Sequence, residues 1–77
     1  MAITLVLADD HPIFLYGLEE MLTRETGFRV LERCPDGKAT LQAVWKHKPD
    51  ILTLKLRMPK MDGLEVLRQM QKKDLST

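Results

Sequence analysis

Short apolar runs alternate with stretches of helical spacing along this chain, and that alternation leaves few folds open. Residues 3–8 read Ile-Thr-Leu-Val-Leu-Ala, a nearly unbroken apolar run of the kind covered on both faces of a sheet. Residues 28–33, Phe-Arg-Val-Leu-Glu-Arg, make a second run of mixed polarity, as expected at or near a sheet edge. Residues 51–56, Ile-Leu-Thr-Leu-Lys-Leu, make the third. Each is followed by a segment with apolar residues three and four apart. Strand, helix, strand, helix, strand, helix implies βαβ units: an α/β fold with a parallel sheet, right-handed crossovers and helices on both faces.

The local signals set the boundaries. After Asp9 and Asp10, His11-Pro12 begins a helix, because proline lacks only an N–H that would be unpaired there. Phe14, Leu18, Met21 and Leu22 form its apolar face, with Ile13 and Leu15 at the margins, and Gly27 is the expected left-handed cap. Gly17, inside this helix, costs about 1 kcal/mol against alanine, which close packing would explain. Pro35-Asp36-Gly37 is a turn, with Asp36 capping a helix that carries Leu41, Val44 and Trp45 on one face. Lys46, His47 and Lys48 read as its solvated last turn, His47 without a ligand role, and Pro49 ends it. Asp62-Gly63 opens the third helix, with Leu64, Leu67 and Met70 inward and Arg68, Lys72 and Lys73 outward.

Seventy-seven residues allow one small domain, near the size where a single core gives only about 3–5 kcal/mol of net stability. With 44% hydrophobic and 30% charged residues it can bury a core. The net charge of +1 is spread along the chain, which excludes the global electrostatic footprint of a nucleic-acid or anionic-membrane binder. Cys34, the only cysteine, rules out an internal disulfide and any zinc site needing two thiolates; it reads as a small apolar residue near a strand end. Neither a signal peptide nor a membrane-spanning run is visible, so the expected compartment is the cytoplasm.

In open parallel sheets, chemistry gathers where strand C-termini meet the following loops. Asp9 and Asp10 end the first strand, and position 55 lies near the end of the third. If those strands are neighbours, the three side chains converge, and adjacent carboxylates suit a hard cation such as Mg²⁺. Taken alone, the pair reads better as a solvated loop that favours a helix N-terminus. Lys55 is the anomaly, because an unpaired ammonium at the end of a buried strand costs several kcal/mol.

Ala8-Asp9-Asp10-His11-Pro12, together with Pro49-Asp50, position 55, Met58-Pro59 and Asp62-Gly63 at their spacing, closely resembles the receiver domain of two-component response regulators. The Asp-Asp-His-Pro opening, Gly17-Leu18 and Leu64-Glu65-Val66-Leu67 look most like the branch whose receivers precede a LuxR/NarL-type helix-turn-helix. The likeness spans residues 1–77 as a partial receiver domain, the first three of the family's five strand–helix units. It implies a flavodoxin-like fold with these strands in the order 2-1-3. It also implies that Asp10 binds Mg²⁺ directly, that Asp9 acts through water, and that Arg57 lends a backbone carbonyl. Position 55 would be the aspartate that takes phosphate from a sensor histidine kinase, and DNA would be reached only through a C-terminal domain outside these residues.

Lysine at that position departs from the pattern, since an amine forms no acyl phosphate. Lys55 is expected to pair with Asp10 or Asp9 in the cation's place, leaving Mg²⁺ absent or weak; snorkelling to solvent is the alternative. Asp62, a helix cap, is a poor substitute acceptor. The missing units would also leave an open strand edge and an uncovered apolar face, so a homo-oligomer through edge pairing or element exchange is expected. Three functions follow: a non-phosphorylatable receiver module of a transcriptional regulator, a self-associating interaction module without phosphotransfer, and a Mg²⁺-dependent phosphohydrolase. The last needs an Asp-x-Asp pattern that Asp9 and Asp10, being adjacent, do not make.

Overall fold

The first strand is the middle of the sheet. A computed structural model describes residues 2–25 and 27–72, in the order β1 (Ile3–Ala8), α1 (Pro12–Thr23), β2 (Phe28–Cys34), α2 (Gly37–His47), β3 (Ile51–Leu54) and α3 (Gly63–Lys72). All pairing is parallel, in the order β2-β1-β3, as the resemblance implies. Alternate residues of β1 therefore serve two cores. Leu5 and Leu7 pack against Leu15, Leu18 and Leu22 of α1. Val6 and Ala8 pack on the opposite face with Cys34, Ala43 and Met58. Beside this second core Leu41 and Val44 of α2 meet Val66 and Met70 of α3. Burial of β1 on both faces accounts for its unbroken apolar run.

The mixed polarity of β2 has a second cause besides its edge position. Leu5 pairs with Val30 but Val6 pairs with Glu32, so Leu31 is an extra residue and the register shifts there. A one-residue slip exchanges the faces of everything downstream. Phe28 and Val30 join the α1 core before the bulge. After it, Cys34 enters the α2 core and Arg33 faces α1. There its guanidinium pairs with Glu19 at 3.1 Å and lies 5.8 Å from the Tyr16 ring centroid.

Each helix differs from its expected face or end. Leu15, placed at the margin of α1 by spacing alone, is its buried residue, whereas Phe14 is 56% and Met21 67% exposed. Apolar residues surround α1 so completely that spacing could not choose the face; contact with β2 and the odd-numbered residues of β1 chooses it. In α3 the inward residues are Gly63, Val66 and Met70, and Leu64 and Leu67 are exposed. Lys73 lies outside the described residues. α1 ends at Thr23, ahead of Gly27, which takes φ 99° in the turn into β2 and accepts the Ile3 N–H at 2.6 Å. The left-handed cap of α2 is Lys48, with φ 48°, and its N–H donates to Val44 at 2.8 Å.

Three contacts pin the ends of these elements. Asp36 caps α2 by accepting the Ala39 N–H at 2.8 Å. Asp50 accepts from the Thr4 N–H at 2.8 Å and from its hydroxyl at 3.0 Å, tying the start of β3 to that of β1; those two bonds hold its carboxyl below the usual range against slight burial. His47, read as solvated, instead pairs with Glu32 of β2 at 2.8 Å. Cys34 is fully buried, and burial, with help from the Glu32 charge, pushes its thiol up to about 11. That suits the inert, packed role expected of it.

Candidate functional site

The site forms because the ends of three strands are tied together. Ala8 is the last residue of β1; its carbonyl accepts the Lys55 N–H at 3.0 Å, and the next residue, Asp9, donates its N–H to the Cys34 carbonyl at 3.0 Å. The loop into α1 is thus held between β2 and β3. β3 itself ends at Leu54, shorter than its apolar run, and Lys55 keeps one ladder bond before the chain turns away. The chain returns at Gly63, whose N–H donates to the Leu56 carbonyl at 2.6 Å, while Asp62 caps α3 by accepting the Glu65 N–H at 2.9 Å.

Asp10 and Lys55 meet across this closure. The Lys55 ammonium lies 2.7 Å from Asp10 Oδ1, and both side chains are 32% exposed. Its hydrogen bond is the main reason the Asp10 carboxyl sits below its ordinary value; slight burial opposes this, and the charges of Lys55 and His11 add to it. Asp9 turns the other way. Its Oδ1 accepts the His11 backbone N–H at 2.9 Å and faces His11 Nδ1 at 2.9 Å. His11 Nδ1 also stands 3.2 Å from Asp10 Oδ1 and 3.1 Å from Lys55 Nζ. Arg57 is in the exposed turn after Lys55 and takes part in none of these bonds.

His11 is the residue that sequence reasoning passed over. Its place before Pro12 marks the helix start, and a histidine two places after an aspartate on a tight loop can also bond back to it. A groove of about 270 Å³ is lined by Asp9 and Lys55 of this site together with Ala8, Phe14, Leu18, Thr53 and Leu54.

Residues 5–77 match the family described as the response regulator receiver domain. The chain belongs to that family. It is 40% identical over 68 residues to an uncharacterized response regulatory protein of Vibrio cholerae, covering 87% of this chain and 26% of that one. With the probable transcriptional regulatory protein NarL of Mycobacterium tuberculosis it shares 35% identity over 75 residues, 97% of this chain and 35% of the other. The solved signal receiver domain of the putative response regulator NarL from the same organism superposes with a TM-score of 0.91 at 34% identity, over 96% of this chain and 60% of that one. The chain thus spans a quarter to a third of these curated relatives and about three fifths of the solved receiver. The flavodoxin-like architecture and the LuxR/NarL likeness both stand. Receiver domains bind Mg²⁺ at an acidic site, and those of LuxR-type regulators work with sensor kinases and reach DNA through a C-terminal domain. No helix among the described residues is long and apolar enough to cross a membrane.

Proposed function

We propose that this chain is the receiver module of a cytoplasmic transcriptional response regulator whose pocket takes no phosphoryl group at position 55. The supporting observation is the Lys55 ammonium 2.7 Å from Asp10 Oδ1, at the place where a receiver's acceptor carboxylate and metal would meet. An ammonium paired with a carboxylate has no lone pair for phosphoryl transfer. It also brings positive charge to the oxygen that Mg²⁺ would need, so the pocket in this state does not fit that ion. The module is accordingly a binding element rather than an enzyme. Its sensor kinase partner would meet a pocket fixed in one charge state, and DNA contact belongs to segments outside these residues.

Incubation with acetyl phosphate and Mg²⁺, followed by intact mass, tests this. The expected result is no added phosphate. Stoichiometric phosphorylation mapped to the pocket would overturn it.

A second reading, self-association, is supported by the edge of β3. Its residues Ile51–Leu54 carry no charge, no proline and no bulge, the devices that keep free edges from pairing, whereas β2 has charged residues and a bulge. Sedimentation equilibrium at micromolar concentration should then show a dimer or larger species; a monomer throughout would remove this reading.

A further inference from the structure

We infer that the cleft between the loops after β1 and β2 is a binding site for a small monocarboxylate with an apolar body, held by the Arg33 guanidinium. It stands independently of the readings of Lys55 and of the β3 edge. A cavity of about 240 Å³ is lined there by Pro12, Leu15, Arg33 and Pro35. Pro12 closes the loop after β1 and Pro35 follows the last residue of β2, so the cavity lies at the C-terminal ends of two parallel strands. That is the edge at which open α/β sheets take their ligands. Neither Asp10 nor Lys55 lines it.

The bulge at Leu31 is what puts a cation there. Ahead of it the even-numbered residues Phe28 and Val30 face α1, and after it the odd-numbered Arg33 does. Bulges recur beside binding sites because they re-aim a side chain in this way. The core beneath, Leu5, Leu7 and Leu15, gives the guanidinium no partner.

The guanidinium is steadied but not used up. Glu19 approaches its Nε at 3.1 Å, and the Tyr16 ring centroid lies 5.8 Å from its central carbon. One carboxylate covers at most one edge of the fork, and no other described residue forms an ion pair with Arg33, so the Nη1–Nη2 edge is left for a second acceptor. With the side chain 46% exposed, a ligand reaches that edge directly.

The walls set the chemistry of the ligand. Pro12 and Pro35 carry no N–H and Leu15 is apolar, so the guanidinium alone supplies polarity and charge among the lining side chains. A carboxylate matches the fork through two parallel N–H···O bonds. Glu19 beside it disfavours a second negative charge, which selects a monoanion over doubly charged phosphate. An apolar body on the acid then displaces water from the prolines and the leucine.

Titration of the 77-residue chain with butyrate and with benzoate at pH 7, read by amide NMR shifts, should give saturable changes centred on Leu15, Tyr16, Arg33 and Cys34. Arg33→Gln should weaken binding at least fivefold. Arg33→Lys keeps the charge and the stem but loses the fork; it should weaken binding as much, and it decides the matter should the glutamine variant not fold. Arg68→Gln, on α3, should leave binding unchanged. Butyramide, which has the same shape without the charge, should give no saturable shift. Equal shifts with butyramide, wild-type affinity in the Arg33 variants, or a matching loss in Arg68→Gln would overturn the site. Phosphate bound at the same amides as tightly as butyrate would overturn the assignment of a carboxylate.

Discussion

Gly37→Ala is expected to remove about 3 kcal/mol of stability, most of what a domain of this size has. A methyl group at the first residue of α2 would overlap the carbonyl oxygen, the carbonyl carbon and Cβ of Met61, each closer than real Cβ atoms approach. Two of those atoms are backbone, in the loop that connects β3 to α3, so no rotamer change relieves the clash. Either α2 or that loop must shift. The loop carries Met58 into the core beside Val6 and Ala8, and the α2 start is tied to it again by Asp36, whose carboxylate is 3.7 Å from the Lys60 ammonium. Gly17→Ala is the control. Nothing lies within 4 Å of a methyl group there, so close packing does not explain that glycine, and alanine should gain up to about 1 kcal/mol of helix propensity. Urea unfolding followed by circular dichroism measures both; equal midpoints for the two variants would refute the account of position 37.

The features readable from sequence are those set by nearest neighbours in the chain. The apolar run of β1, Pro12 at the start of α1, and Asp36 and Asp62 as caps follow from local chemistry, and each is where it was expected. Asp10 and position 55 come together because the strands are parallel and β1 is central. What could not be read depends on a partner far along the chain. The bulge at Leu31 is a property of the β1–β2 register, and it alone decides that Arg33 meets Tyr16 and Glu19 while Cys34 is buried. His47 looked solvated because its partner, Glu32, is on another strand. The faces of α1 and α3 are only partly legible for a related reason: Leu18, Leu22 and Met70 pack inward as their spacing suggests, but Phe14, Leu64 and Leu67 are apolar without being covered by any described element. An apolar residue at the right spacing states only that a face can be buried, not that these residues bury it.

Lys55→Asp should convert Mg²⁺ from a bystander into a stabilising ligand, raising its affinity at least tenfold. The reasoning begins with Asp10, whose folded-state carboxyl is held below its ordinary value, chiefly by the Lys55 hydrogen bond. A depressed carboxyl contributes stability that is complete above its unfolded value of about 3.9 and is lost as pH falls through the lower folded value. The unmodified chain should therefore gain stability as pH rises from about 3 to 5 and show no response to millimolar Mg²⁺. Aspartate at position 55 reverses the sign. Three carboxylates then share one loop closure, like charges raise at least one of their values above that of the unfolded chain, and the stability tied to that group is lost as pH rises through the raised value. Mg²⁺ should restore what is lost by neutralising the cluster, so the melting temperature of the variant climbs with Mg²⁺ at pH 7 and responds far less at pH 4. Thermal melts across that range, with and without the ion, decide the matter. If both chains respond alike to Mg²⁺, the ammonium at position 55 is not what keeps the ion from Asp10. If only the variant responds, a single side chain separates a pocket closed by its own cation from one that waits for a metal.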